Sequence, residues 1–141
     1  ISNVEENPFY QNLKEKTGFD KDKRIVFCQT VYEKQLLKKV RENAWGYLHG
    51  HEVGGTNPSL LEALGSTKVN LLLDVGFNRE VGEDAALYWT KKKGSLSSLI
   101  QKAEELDDTE RDVLGSKAKR RILTAYSLEQ IAKDYEALFL G

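Results

Sequence analysis

The stretch His49-Gly50-His51-Glu52-Val53-Gly54-Gly55-Thr56-Asn57-Pro58-Ser59-Leu60-Leu61-Glu62-Ala63-Leu64 decides the fold. An apolar strand through Trp45-Gly46-Tyr47-Leu48-His49 runs into two glycines, and a helix opens at once. Asn57 is a good N-cap and Pro58 a favoured first helical residue, while Gly65 is placed to end the helix in a left-handed conformation. Val69 to Val75 then forms a near-continuous apolar run of strand length, the pattern of a parallel strand covered on both faces. A short helix is expected over Asn78 to Glu83 and a short strand over Ala86 to Trp89. Strands and helices alternate, so the fold class is α/β, a Rossmann-like parallel sheet with flanking helices.

Upstream, Arg24 to Val31 reads as a buried strand rich in β-branched and aromatic residues, with Cys28 as a small buried hydrophobe. Tyr32, Leu36, Leu37 and Val40 follow at helical spacing, and Pro8 to Thr17 suits a short helix. Beyond Gly94 the period is helical to the end. Leu96, Leu99, Ile100, Ala103 and Leu106 share one face, a helix runs from Val113 to Tyr126, and Ser127-Leu128-Glu129-Gln130 reads as a capping box. It opens a last helix whose buried stripe is Leu128, Ile131, Tyr135, Leu138 and Phe139. The organisation is therefore a strand/helix core over 24–90 and C-terminal helices over 94–141.

With 141 residues the chain has the size of one domain, and 21 Lys+Arg against 22 Asp+Glu leave a formal charge of −1. That balance argues against a nucleic-acid binder working by phosphate neutralisation. One cysteine excludes an internal disulfide. No apolar run approaches the roughly 18 residues of a membrane span, and a soluble, cytoplasmic segment is expected. The chain has no Met and opens Ile1-Ser2-Asn3, which reads as a segment of a longer protein.

At the glycine turn, helix-start amides would meet the carboxyl edge of the sheet, where an anionic ligand suits both the amides and the helix dipole. Glu62, one turn on, leans back toward the same mouth, and a carboxylate there is better used on sugar hydroxyls than on phosphate. The plain alternative is a strand-to-helix connector with Glu62 solvated. Neither a Walker loop nor the spaced three-glycine fingerprint is present. His49 and His51 fall on one side of a strand, but without a third ligand in register they suit a structural or substrate-contacting role better than a metal. Asp107-Asp108 reads as a solvated helix end, Lys91-Lys92-Lys93 as a solvated loop, and Lys117 to Arg121 as a charged helix face. The two basic stretches could also touch anionic lipid headgroups in a peripheral membrane contact. For the strand end near residue 80 two readings stand, Glu80 as a helix cap or Arg79 approaching the ligand.

The run HGHEVGGTNPSLLEAL, followed by NLLLDVGFNREVGEDAALYW, closely resembles the donor-binding domain of family 4 retaining glycosyltransferases of the GT-B fold. Within them it is most similar to the bacterial rhamnosyltransferases of cell-wall and capsular polysaccharide synthesis. RIVFCQTVYEKQLLKKVRENA looks like the same family's preceding strand and helix, and the likeness covers nearly the whole chain. The resemblance implies that Gly54, Gly55, Thr56, Asn57, Ser59 and Leu60 line the diphosphate and donor sugar, that Glu62 binds the nucleotide ribose, and that Thr30, Val31 and Tyr32 lie near the nucleobase. It also implies a metal-independent enzyme without a cofactor, taking a nucleotide sugar, dTDP-L-rhamnose, and a lipid-linked saccharide acceptor.

One departure stands out, because the family's first glutamate, eight residues before Glu62, is replaced by Gly54. Donor-sugar contacts then fall to backbone amides, to Glu52 or to His51, a change that would suit a deoxysugar. No residue reads as the catalytic base, and the acceptor site in such folds belongs to a separate domain, so this segment alone is expected to be inactive. The family's donor domain has two further strand-helix units before the point matching Arg24, and their absence predicts exposed sheet edges, with strand exchange or a homodimer as the outcome. A nucleotide-sugar 2-epimerase of the same fold and a non-catalytic interaction module are the alternatives.

Overall fold

The computed structural model describes residues 6–28 and 30–140. Three parallel strands, β1 (Tyr47–His49), β2 (Asn70–Leu73) and β3 (Leu87–Trp89), lie side by side in chain order. Tyr47 stands opposite Asn70, and Leu71 opposite Leu87. Seven helices accompany them among the described residues: α1 (Pro8–Thr17), α2 (Lys34–Glu42), α3 (Pro58–Leu64), α4 (Gly76–Gly82), α5 (Ser95–Glu105), α6 (Asp108–Ala125) and α7 (Leu128–Leu140). The chain divides into two units, Ile1–Leu37 and Lys38–Gly141.

β2 explains the sheet. All four of its residues are buried, as its unbroken apolar run requires, and alternation sends its leucines to opposite sides. Leu72 joins Leu60, Leu64, Val81, Ala85, Ala86 and Ala118 on the face covered by α3, α4 and α6. Leu71 joins Val69 and Ala103 on the other face, with Leu87, Trp89, Leu99, Ile100 and Leu106 packed around them. The architecture is a three-stranded parallel sheet flanked by helices, the α/β arrangement expected from the alternation of elements.

The helix ends follow local chemistry. The Asn57 side chain accepts from the Ser59 amide at 2.9 Å, and Pro58 occupies the first helical position of α3. Gly65, expected to be left-handed, has φ −73°. The chain keeps its right-handed course for part of another turn, with the Thr67 amide bonding the Ala63 carbonyl at 2.7 Å, so no reversal is needed there. α6 starts five residues earlier than the expected Val113. Asp107 caps it, accepting from the Glu110 amide at 2.8 Å while Glu110 accepts from the Asp107 amide at 2.9 Å. Asp107 and Asp108 are both exposed, as expected, and Asp107 is in addition half of a capping box, an arrangement worth about 1 kcal/mol per cap. Gly115 lies inside α6 because a Cβ there would come within 3.1 Å of Lys68 Cα, where the chain enters β2.

Four further expectations are corrected. Residues 24–28, 30 and 31 form no strand, and Gln29 lies outside the described residues. The Asp22 carboxylate accepts from the Arg24 backbone amide at 3.0 Å and pairs with its guanidinium at 2.6 Å, while the Ile25 amide bonds the Asp22 carbonyl. These bonds wind the start of the segment into a turn, and Phe27 packs its ring on Phe19. Cys28 is accordingly exposed rather than buried. The stripe on α7 is exposed too, with Leu128 at 86% and Phe139 at 81%. Finally, the box at Ser127 is only half made: Ser127 Oγ accepts from the Gln130 amide at 3.1 Å, but the Gln130 side chain turns to Asp134. Among the described residues no helix is long and apolar enough to cross a membrane.

Candidate functional site

Parallel strands point their carboxyl ends the same way, so the segments after β1, β2 and β3 emerge together at one edge of the sheet. After β1 the chain leaves as Gly50 and then the loop 51–56, exposed throughout. Gly54 takes φ +120°, a conformation that strains any residue with a Cβ, and neither Gly54 nor Gly55 has a neighbour within 4 Å of where a Cβ would stand. Their backbone is therefore open to a ligand. The amides of Ser59 and Leu60 are not open, because Asn57 Oδ1 lies 2.9 Å from the first and 3.4 Å from the second. Leu60 also sinks its side chain into the core. The cap thus consumes the amides of Ser59 and Leu60, and at Ser59 the exposed side chain is what faces solvent. Gly54, Gly55 and Thr56 remain as the available donors.

Two supports fix this loop from outside. Asn78, fully buried on α4, spends both amide protons on carbonyls, that of His51 at 3.1 Å and that of Leu73 at 2.9 Å. It ties the loop after β1 to the end of β2. Glu52 forms an exposed ion pair with Lys91, which follows β3, while Lys91, Lys92 and Lys93 are all exposed, as expected of a solvated loop. Arg79 pairs with Asp74 and lies 4.3 Å above the Tyr88 ring. Glu80 caps nothing, because the cap position of α4 is Val75 and lacks a side-chain bond.

Tyr47, His49 and His51, spaced by two along one side of β1 and its extension, stack their rings. The centroids are 5.8 Å apart for Tyr47 and His49 and 5.3 Å for His49 and His51. Tyr47 Oη is 3.2 Å from His49 Nδ1, and His49 Nε2 is buried without a partner among the described residues. Burial first, then the charge of His51, holds the His49 ring below the usual imidazole range. An unfolded chain therefore takes up a proton at this ring more readily than the folded one, and stability contributed here is lost as pH falls below about 6.5. Urea unfolding at pH 7.5 and 5.5 is expected to show a larger loss for the wild type than for His49→Gln, and equal losses would remove His49 as the cause.

Glu62 meets Arg41, whose Nη1 lies 2.8 Å from Glu62 Oε2. The Arg41 side chain is 17% exposed and that of Glu62 56%, so the cation is the fixed member and the carboxylate the open one. The Arg41 carbonyl accepts from Thr67 Oγ1 at 3.0 Å, which anchors the end of α2 against the turn before β2. Tyr47 senses the pair: burial raises its phenol above the usual range, Arg41 pulls it down and Glu62 pushes it up.

Of the residues expected to form a site, Gly54, Gly55, Thr56, His51, Glu52 and Glu62 thus fall on or beside one loop and the helix that follows it. Thr30, Val31 and Tyr32 belong to the other unit, where Tyr32 is 86% exposed. Arg41, Tyr47 and Asn78 were not anticipated. The period of α2 and β1 located the first two without their partners, and nothing local marks Asn78. Among the described residues no group of three or more His, Cys, Asp or Glu side chains is placed to hold a metal ion. No protein-family model matches the chain, and neither a curated protein nor a solved structure matches it.

Proposed function

We propose that the chain is the nucleotide-sugar-binding part of a family 4 glycosyltransferase of the GT-B fold, serving transfer of L-rhamnose from dTDP-L-rhamnose to a lipid-linked polysaccharide precursor. The observation that carries the reading is the open Gly54–Gly55 backbone at the carboxyl edge of a parallel sheet, with the half-exposed Glu62 carboxylate on the helix that follows. The resemblance of HGHEVGGTNPSLLEAL supports the same reading from the sequence side. In this proposal the amides of Gly54, Gly55 and Thr56 donate to the diphosphate and stabilise it as negative charge grows on the leaving group. Glu62 accepts a hydrogen bond from the nucleotide sugar, and His51 and Glu52 border the donor sugar.

A hydrogen bond to a charged group contributes about 1.5–3 kcal/mol, so Glu62→Ala is expected to weaken thymidine diphosphate binding by about tenfold or more. Isothermal titration of the full chain checks this. Equal dissociation constants for mutant and wild type would overturn the role of Glu62, and no binding by the wild type would overturn the nucleotide site.

A further inference from the structure

The two oxygens of Glu62 are not equivalent. Oε2 faces Arg41 Nη1 at 2.8 Å, and the pair is unequally exposed, with Arg41 largely enclosed and Glu62 open. Arg41 is held at both ends, since its carbonyl accepts from the buried Thr67 hydroxyl and its guanidinium grips the carboxylate. Among the described residues nothing bonds Glu62 Oε1.

A ribose presents two neighbouring hydroxyls, 2′ and 3′, and a carboxylate with both oxygens free can accept one bond on each. A carboxylate whose second oxygen already takes a charge-assisted bond from a fixed guanidinium has one oxygen directed at the ligand. A 2′-deoxyribose has only the 3′ hydroxyl to give. We propose that Arg41 is a positioning residue that makes Glu62 read a single sugar hydroxyl, so that the pocket accepts 2′-deoxynucleoside diphosphates as readily as ribonucleoside diphosphates. This inference rests on the nucleotide-site reading above and deepens it: the acceptance of a thymidine donor, which lacks the 2′ hydroxyl, comes partly from a salt bridge made before any ligand arrives. Lysine at position 41 would keep a cation on Oε2, whereas leucine would keep the apolar stem and free the oxygen.

The decisive measurement is titration of the full chain with uridine diphosphate and 2′-deoxyuridine diphosphate, which differ only in the 2′ hydroxyl. The wild type is expected to bind both within about threefold. Arg41→Leu is expected to favour the ribonucleotide by about tenfold, the worth of one regained hydrogen bond to a charged group, and Arg41→Lys to restore the wild-type ratio. A purely structural role for Arg41 would weaken both ligands alike and leave the ratio unmoved, which overturns the proposal. A tenfold ribonucleotide preference in the wild type overturns it as well, and that measurement stands even if Arg41→Leu does not fold. Failure of the wild type to bind either diphosphate would instead overturn the nucleotide site itself, and this inference with it.

Discussion

Leu72→Ala is expected to destabilise the chain by about 2–5 kcal/mol, the range for removing a large aliphatic side chain from a core that cannot collapse around the gap. Leu72 is fully buried on the middle strand, within the cluster that joins α3, α4 and α6 to the sheet. The packing around it is tight. A Cβ placed at Gly82 would stand 2.9 Å from Leu72 Cδ1 and 2.6 Å from Tyr88 Oη, so α4 already approaches the sheet as closely as a glycine permits. Tyr88 is itself enclosed enough for burial to push its phenol up to about 12. With neighbours so constrained, the cavity left by alanine stays largely open, and the loss should fall toward the upper part of the range. Urea unfolding monitored by far-ultraviolet circular dichroism measures it, with an unchanged m-value expected if only the native state is affected. A loss below about 1 kcal/mol would mean that the α4 side of the core is loosely packed.

The parts of this fold legible in the sequence are those fixed by neighbours along the chain. Asn57-Pro58 marked the start of α3, and the run from Val69 marked β2, because caps and burial periods are written within a few residues. Asp107 and Glu110 mark the start of α6 in the same local way, five residues ahead of its first large apolar side chain, Val113. What the sequence could not show depends on partners elsewhere. Ile25-Val26-Phe27-Cys28 has strand composition, yet a strand exists only where another strand pairs with it, and Asp22 claims the start of this segment for a turn. The apolar stripe of α7 states which face is apolar and not what covers it. The candidate site divides in the same way. Gly54, Gly55 and Glu62 were found from spacing and resemblance, whereas the partner of Glu62 sits on another helix and the tie beneath the loop comes from Asn78, two elements away.

That tie supplies the second large effect. Asn78→Ala is expected to cost about 2–4 kcal/mol, because it removes two hydrogen bonds made from a fully buried position and leaves the His51 carbonyl short of a donor, whereas the Leu73 carbonyl keeps the Val75 amide. The loss is not only global. The His51 carbonyl is released from α4, so the loop carrying Gly54 and Gly55 loses the anchor that holds it over the ends of β1 and β2. Amide hydrogen exchange across 51–56 should quicken more than in the core of α6, and thymidine diphosphate binding should weaken although no substituted atom faces the ligand. Asn78→Asp separates the donor role from shape. At neutral pH it sets a carboxylate against two carbonyl oxygens in a fully buried position, which raises its folded-state pKa above the unfolded value near 3.9. Its stability should therefore be poorest near pH 7 and recover as pH falls toward 5, opposite in sign to the loss tied to His49. A variant as stable as the wild type at both pH values would mean that the Asn78 amide is not what ties the loop after β1 to the end of β2.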